Sequence, residues 1–214
     1  MIEVNPRASR TIPFLSKCIG NSLAKIASKV ITGKSLKDLG LEAEIMPTNY
    51  AVKAPVFPFN KFRKVDPILG PEMKSTGEVM GRGDCFGEAF GKAMKGAGEV
   101  IPNQGRVFVS VKDNDKKYLP DLCSKLEKLG FQIYATKGTA KALEKTDVKV
   151  KIVNKVLEGR PHIFDAILNK EIDMIINTTE GRQSIKDSFS IRRSALEHSI
   201  FLTTTISGLS LIHI

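Results

Sequence analysis

The chain has 214 residues, of which 42% are hydrophobic, so it can form one large packed domain or two small ones. It carries 33 Lys and Arg against 23 Asp and Glu, and the resulting formal net charge of +10 favours anionic partners. Because the basic residues are dispersed, Trp is absent and only three Tyr can stack on bases, we expect small phosphorylated ligands or an acidic protein surface rather than nucleic acid.

No apolar run reaches the roughly 18 residues that a membrane span needs, and the first residues lack the form of a signal peptide. The predicted location is therefore cytoplasmic, with no membrane partner. The three cysteines, Cys18, Cys85 and Cys123, lie far apart without a C-x-x-C motif, which excludes a zinc site and a disulfide framework. We expect buried thiols, with Cys123 on the apolar stripe of a helix.

The first residues predict a short strand, 2–4, that runs directly into a polar segment. Alternation puts Glu3 and Asn5 on one face of this strand, where a carboxylate and an amide oxygen can share a hard cation such as magnesium. Arg7 and Arg10 follow and are available to phosphate oxygens. A solvent-facing pair on an edge strand is the alternative interpretation, and it is the commoner meaning of this pattern.

The next segments predict a small amount of regular structure joined by a long connector. Apolar spacing predicts a helix over residues 21–32, which begins at an Asn or Ser cap. An apolar strand follows over 51–59, and its two prolines favour an edge position. Residues 60–83 are rich in Gly and Pro and are predicted to be a connector, and a helix is predicted over 85–95.

From Gly105 onward the pattern changes to a regular alternation of strands and helices. Near-continuous apolar strands separated by helices are typical of a parallel sheet that is covered on both faces, so the fold class is α/β. The predicted strands are 107–111, 131–135, 148–153, 173–177 and 200–203, and the predicted helices lie near 119–129, 140–145, 161–167 and 191–198.

Polar side chains follow the predicted ends of these strands, where parallel sheets bind their ligands. One group lies in the turn of residues 134–139, between a strand and a helix. Because the set contains hydroxyls, amides and lysines but no His, Cys or carboxylate pair, it favours phosphate binding over catalysis, although helix caps and a solvated lysine are the alternative. The candidates are Ser110, Lys116, Thr136, Thr139, Lys155, Asn177, Thr178 and Thr179.

One histidine near this set has two interpretations. His162 follows Pro161 at the predicted start of a helix. It could act as a general acid, or it could cap or pack against the helix, and capping is the commoner role at such a position.

Several longer motifs carry a resemblance to a known family. They are residues 2–10 (IEVNPRASR), 66–81 (DPILGPEMKSTGEVMG), 153–161 (VNKVLEGRP), 176–179 (INTT) and 191–195 (IRRSA). On these motifs, essentially the whole chain resembles the C-terminal part of the large subunit of carbamoyl phosphate synthetases.

The resemblance implies three parts. Residues 1–81 would be the C-terminal part of the ATP-grasp domain that phosphorylates carbamate. In this part Glu3 and Asn5 would bind Mg²⁺ or Mn²⁺, and together with Arg7 and Arg10 they would belong to the ATP site. Residues 82–104 would be a helical linker. Residues 105–214 would be a methylglyoxal synthase-like regulatory domain whose last helix is missing. In this domain the eight strand-end residues would bind the phosphate of an allosteric nucleotide, UMP or IMP.

The same resemblance implies an activity and partners. The chain would be part of the ligase that makes carbamoyl phosphate from glutamine-derived nitrogen for pyrimidine and arginine biosynthesis, and this fragment alone is expected not to be catalytic. Its partners would be the remainder of the large subunit, the glutaminase small subunit and a second copy through the regulatory domain. Members that respond to ornithine carry a glutamate at the position of Ala54 and a tyrosine at that of Leu202, which argues against an ornithine site.

An alternative is the enzyme methylglyoxal synthase, which acts on dihydroxyacetone phosphate and resembles the same regulatory domain. That enzyme uses an aspartate in a Gly-Gly-Asp segment. The matching loop here, residues 158–161, is Glu-Gly-Arg-Pro and has no aspartate. The missing base disfavours this alternative.

Overall fold

The computed structural model describes residue 4 and residues 6–62, 66–69 and 73–212 of the chain. Glu3 and Asn5 fall outside this part, so what the sequence predicts for them stays a prediction. The α-helices are α1 (Thr11–Ile19), α2 (Leu23–Ile31), α3 (Phe86–Gly96), α4 (Leu119–Lys128), α5 (Lys137–Leu143), α6 (Ile163–Leu168), α7 (Arg182–Asp187), α8 (Phe189–Glu197) and α9 (Ile206–Ile212). The strands are β1 (Tyr50–Val56), β2 (Gly77–Gly83), β3 (Gly105–Ser110), β4 (Phe131–Ala135), β5 (Val150–Ile152), β6 (Met174–Asn177) and β7 (Phe201–Thr203).

Two helices precede the first strand. The predicted helix is confirmed as α2, and Ser22 caps it by accepting a hydrogen bond from the backbone N–H of Lys25 at 3.4 Å. The sequence did not predict α1, because this helix has no side-chain cap and no acidic residue in its first turn. Pro13 is tolerated there because the N–H groups of a first turn have no partner within the helix.

A small antiparallel sheet of β1 and β2 forms the middle of the chain. Among the described strands β1 pairs with β2 alone, so its predicted edge position is confirmed. The predicted connector was wrong at its end, because β2 occupies residues 77–83. The sequence did not predict this strand because it contains several glycines, which are uncommon in strands. The packing of α3 explains one of them, since a Cβ at Gly81 would collide with the backbone of Ala89 and Ala93.

The five remaining strands form a parallel sheet in the order β5-β4-β3-β6-β7. One face packs against α4, α5 and α9 through a core that includes Val107, Leu126 and Ile176. The other face packs against α6 and α8 through a second core that includes Phe108 and Ile175. The predicted α/β fold with a parallel sheet covered on both faces is confirmed.

Several element boundaries differ from the predicted ones. Helix α5 begins at Lys137, three residues earlier than predicted, because Thr136 already has the extended conformation of an N-cap residue. Strand β5 keeps only residues 150–152 of the predicted six. The sequence predicted neither α7 nor α9. Helix α9 nevertheless contributes the fully buried Leu209 to the core, so this part of the sheet is covered.

The cysteines are all free, and their surroundings differ. Cys123 is buried in α4 as predicted, and burial raises the pKa of its thiol to about 12. The prediction of buried thiols was wrong for Cys85, which is exposed at the start of α3. Within the described ranges, no helix has the length and apolar composition needed to cross a membrane.

Candidate functional site

A cavity of about 660 Å³ lies at the carboxyl edge of the parallel sheet. From β3 the chain proceeds to β4 and β5 on one side, and it then crosses back to place β6 and β7 on the other side. The strand order therefore reverses between β3 and β6, which is where open α/β sheets bind their ligands. The structure brings all of the predicted strand-end residues around this cavity: Ser110, Lys116, Thr136, Thr139, Lys155, Asn177, Thr178 and Thr179.

Backbone hydrogen bonds tie the ends of β3 and β6 together at the floor of the cavity. The N–H of Thr178 donates to the carbonyl oxygen of Ser110 at 3.1 Å. In return, the N–H of Lys112 donates to Oγ1 of Thr178 at 3.1 Å. These reciprocal bonds hold the two strand ends in one register, so the polar groups of the floor are ordered before any ligand binds.

The turn between β4 and α5 forms a second wall. Thr136 and Thr139 are both buried, and Oγ1 of Thr136 donates to Oγ1 of Thr139 at 3.2 Å. The Thr139 hydroxyl oxygen also accepts from the backbone N–H of Val111 at 3.4 Å. A Cβ added to Gly138 would come within 3.7 Å of the Lys116 ammonium, so this lysine lies directly over the turn.

Lysines supply the positive charge of the cavity, and two of them are paired with carboxylates. Lys116 Nζ lies 2.7 Å from Oδ1 of Asp113, and this hydrogen bond lowers the pKa of Asp113. Lys112 Nζ lies 3.7 Å from Oε2 of Glu180. Because ion pairs near the surface are weak, either lysine can turn towards a phosphate at little cost. Lys155 is exposed beside them.

Asn177 is the most deeply buried polar group of the floor, with 2% of its surface exposed. Its Nδ2 donates to Oγ of Ser188 at 3.5 Å. In the part of the chain that the structure describes, its Oδ1 atom has no hydrogen-bond partner. A buried carbonyl oxygen normally accepts a hydrogen bond, so a ligand that places an N–H or O–H group here would be favoured.

The sequence predicted fewer than half of the residues that line the cavity. The prediction included hydroxyls, amides and lysines, but the structure adds an apolar side, further polar groups and four carboxylates. Some of these residues could have been found because they follow β3 directly, whereas those on α7 and α8 needed the tertiary fold. The additional residues include Phe108, Lys112, Asp113, Glu158, Val156, Glu180, Ser184, Asp187, Ser188 and Ile191.

Other residues considered from the sequence lie elsewhere. Arg7 and Arg10 are exposed near the start of α1 and line neither of the two cavities of the described residues. His162 is buried and caps α6, where its Nδ1 accepts from the N–H of Asp165 at 3.4 Å, so the capping interpretation is confirmed. Over the described ranges, no cluster of His, Cys, Asp and Glu side chains could hold a metal ion.

A second cavity of about 830 Å³ lies between the β1 region and the parallel sheet. Ala54 and Leu202, the two positions that bear on an ornithine site, both line it. Its lining includes many apolar side chains, such as Phe57 and Ile68. Glu99 also lines this cavity, and burial raises the pKa of its carboxyl group.

Comparison with known proteins gives two concordant results. The profile of the MGS-like domain family matches residues 119–204. Over 208 residues, 97% of this chain, it is 63% identical to the carbamoyl phosphate synthase large chain of Pseudomonas putida. The chain therefore corresponds to a segment of carbamoyl phosphate synthase large chains that includes an MGS-like domain. The predicted resemblance is thereby confirmed, and the methylglyoxal synthase alternative is not favoured.

Two further members of the carbamoyl phosphate synthase large-chain family show the same relation. The large chain of Pseudomonas aeruginosa is 59% identical and that of Vibrio cholerae 54% identical, each over 208 residues and 97% of this chain. The chain spans 19% of the length of each of these three relatives. The cavity at the carboxyl edge lies mostly within the matched MGS-like segment, and Phe108 to Lys116 precede it.

Proposed function

We propose that the chain is the effector-binding part of a carbamoyl phosphate synthase large chain, and that the cavity at the carboxyl edge binds a nucleoside monophosphate such as UMP or IMP. The observation that supports this most strongly is the gathering of three lysines, four threonines and Asn177 at the point where the strand order reverses. Donors arranged in this way can hold a dianionic phosphate. A volume of about 660 Å³ is within the usual range of small-ligand pockets.

The two sides of the cavity suit the two ends of a nucleotide. Lys116, Lys155, Thr136 and Thr139 lie on the side of β4 and β5 and would receive the phosphate. Phe108, Val156 and Ile191 form an apolar side that would contact the base. Asn177 lies between β3 and α8 and offers its Oδ1 atom to a ribose hydroxyl or a base N–H group.

The role proposed for this segment is to bind a nucleotide without catalysing a reaction. Asp113, an acid of the cavity, has a lowered pKa because of its hydrogen bond to Lys116, so it stays ionised at neutral pH and cannot donate a proton. His162 is occupied in capping α6. We therefore propose that the segment alone turns over no substrate.

The rest of the proposal concerns the whole protein. We propose that it is an ATP-dependent ligase that forms carbamoyl phosphate with a glutaminase small subunit, and that a second copy associates through the regulatory domain. In that protein residues 1–81 would belong to an ATP-grasp domain, 82–104 would be the helical linker and 105–214 would form the regulatory domain. Glu3 and Asn5 would hold Mg²⁺ or Mn²⁺, and Arg7 and Arg10 would assist ATP.

A thermal-shift and calorimetric titration tests nucleotide binding. A ligand that binds only the folded state raises the unfolding temperature, so UMP or IMP should raise it and ornithine should not. Lys155→Ala should weaken nucleotide binding by at least about tenfold, since a hydrogen bond to a charged group contributes about 1.5–3 kcal/mol. Lys141→Ala is the matched control, because Lys141 is an equally exposed lysine outside the cavity lining. Absence of a shift with both nucleotides, or equal binding by both variants, would refute the proposal.

A further inference from the structure

Asp66 and Arg192 belong to two of the sequence motifs, 66–81 and 191–195, and they form an ion pair outside the lining of the nucleotide cavity. Arg192, in the first half of α8, is fully buried with 0% exposure. Its guanidinium binds Asp66 in a bidentate manner, with Nε 3.0 Å from Oδ1 and Nη2 2.6 Å from Oδ2. Nη2 also donates to the carbonyl oxygen of Ile185 in α7 at 2.8 Å. One buried side chain therefore joins α7, α8 and the segment around Asp66.

The adjacent arginine makes a second link to the same part of the chain. Nη1 of Arg193 donates to the carbonyl oxygens of Phe59 at 3.2 Å and of Phe62 at 2.9 Å. Its Nε binds Glu197 at 3.0 Å within α8. We call Arg192, Arg193, Asp66 and the carbonyl groups of Phe59 and Phe62 the arginine clamp.

The elements that carry the clamp also form a wall of the nucleotide cavity. Ser188 and Ile191 of the α8 region line the cavity, and Ile191 directly precedes Arg192. Ser184 and Asp187 of α7 line it as well, on either side of the Ile185 carbonyl that Arg192 binds. A ligand in the cavity therefore contacts the same two helices that the clamp connects to Phe59, Phe62 and Asp66.

The chemistry of the clamp makes independent movement of its parts unfavourable. A buried guanidinium that loses its carboxylate partner is strongly destabilised, because its charge is then uncompensated. Nη1 of Arg192 already has no partner among the described residues, so Asp66 is the group that balances the charge. If α8 shifts, the segment around Asp66 has to follow or the pair is broken.

We propose that the arginine clamp couples occupancy of the nucleotide cavity to the order of residues 57–62 and 66–69. The coupling rests on the proposed nucleotide binding. A nucleotide that contacts Ile191 and satisfies Oδ1 of Asn177 restricts α8, and the clamp passes this restriction to the two segments. Both segments border the second cavity through Phe57, Phe59 and Ile68, so the effect reaches the layer formed by β1, β2 and α3. Such coupling is reciprocal, so order in these segments favours nucleotide binding in turn.

Hydrogen exchange of the full 214-residue chain, measured with and without saturating UMP or IMP, tests this coupling. In the wild type, a nucleotide should slow exchange of the cavity amides of residues 110–112 and 136–139. It should also slow the amides of residues 59–62 and 68–69 by at least about threefold. In Asp66→Asn, protection of the cavity amides should persist, with a dissociation constant raised by no more than about tenfold. The added protection of residues 59–62 and 68–69 should be lost.

Two further variants are measured in the same hydrogen-exchange experiment. Asp173→Asn is the matched control, because it removes a carboxylate that pairs with Arg106 at the amino edge of the sheet. This variant should keep the added protection of residues 59–62 and 68–69, which we call the remote protection. Arg193→Lys keeps the charge but lacks the planar guanidinium that binds Glu197 through Nε and the two carbonyl groups through Nη1 at the same time. It replaces Asp66→Asn if that variant does not fold. Cavity protection without remote protection in the wild type overturns the coupling and leaves nucleotide binding intact. Remote protection that survives in the clamp variants also overturns it. No cavity protection overturns both proposals.

Discussion

At the scale of single residues, the Thr139 hydroxyl has a structural role besides the phosphate contact proposed for it. Its oxygen accepts from Thr136 and from the buried N–H of Val111. Thr139→Val keeps the shape but leaves that N–H without its acceptor, which should lower the free energy of unfolding by about 1–3 kcal/mol. Urea denaturation measures this. Thr48→Val, at an exposed threonine, should change it by less than about 0.5 kcal/mol, and equal losses would contradict the assignment.

A second residue prediction concerns pH. Burial raises the pKa of Glu99, so the folded state binds its proton more tightly than the unfolded state does. The stabilising contribution of Glu99 is therefore complete below its unfolded pKa and is lost as the pH rises through the folded pKa. Glu99→Gln should be more stable than the wild type at pH 7, with the advantage disappearing towards pH 4. Urea denaturation at both pH values measures this difference in stability. If the advantage of Glu99→Gln grew towards low pH, the raised pKa of Glu99 would be contradicted.

At the scale of elements, the close packing of α3 on β2 depends on Gly81. A Cβ at this position would meet the backbone of Ala89 and Ala93, which cannot move as a flexible side chain can. Gly81→Ala should lower the free energy of unfolding by about 3 kcal/mol or more. Gly91→Ala is the matched control, because a Cβ at this site within α3 meets nothing within 4 Å and should add about 0.5–1 kcal/mol of stability. Thermal unfolding that ranks the two variants equally would contradict this packing.

The elements also show what the sequence could and could not predict. The strand β4 was predicted to the residue, because a short apolar run between Gly130 and Thr136 leaves no other choice of bounds. The strand β2 was missed because its glycines serve contacts with α3, which no local pattern reveals. Helix α7 is six residues long and polar at every position except Ile185, so it has no apolar periodicity, and the contact that holds it comes from Arg192, which in turn binds the distant Asp66.

The candidate site was likewise predictable only where local sequence determines the position of its residues. The strand-end residues could be predicted because a parallel sheet brings the carboxyl ends of all its strands to one edge. The apolar side with Ile191 and the carboxylate beside Lys112 could not, since they depend on how α8 and the turn before α7 pack against the sheet. The pattern of apolar residues therefore predicts which residues lie at the carboxyl edge of the sheet. Only long-range contacts determine which residues form the opposite wall of the cavity.

At the scale of the whole molecule, two layers are joined by a few buried contacts. Helix α3 packs on the small sheet and also contacts α9 beside the large one. The arginine clamp connects Phe59, Phe62 and Asp66 to α8. A nucleotide at the carboxyl edge therefore has a physical connection to the layer that precedes the parallel sheet. This arrangement suits a segment that senses an effector and passes its state to neighbouring parts of a longer protein.

The central claim is that the carboxyl edge binds a nucleoside monophosphate, and amide chemical shifts of the ¹⁵N-labelled chain titrated with UMP and IMP test it most directly. We predict that the largest saturable shifts fall in residues 110–112, 136–139 and 177–179, and that Gly105 and Phe131 at the amino edge stay unchanged. Shifts absent with both nucleotides, or concentrated around the second cavity instead, would contradict the claim.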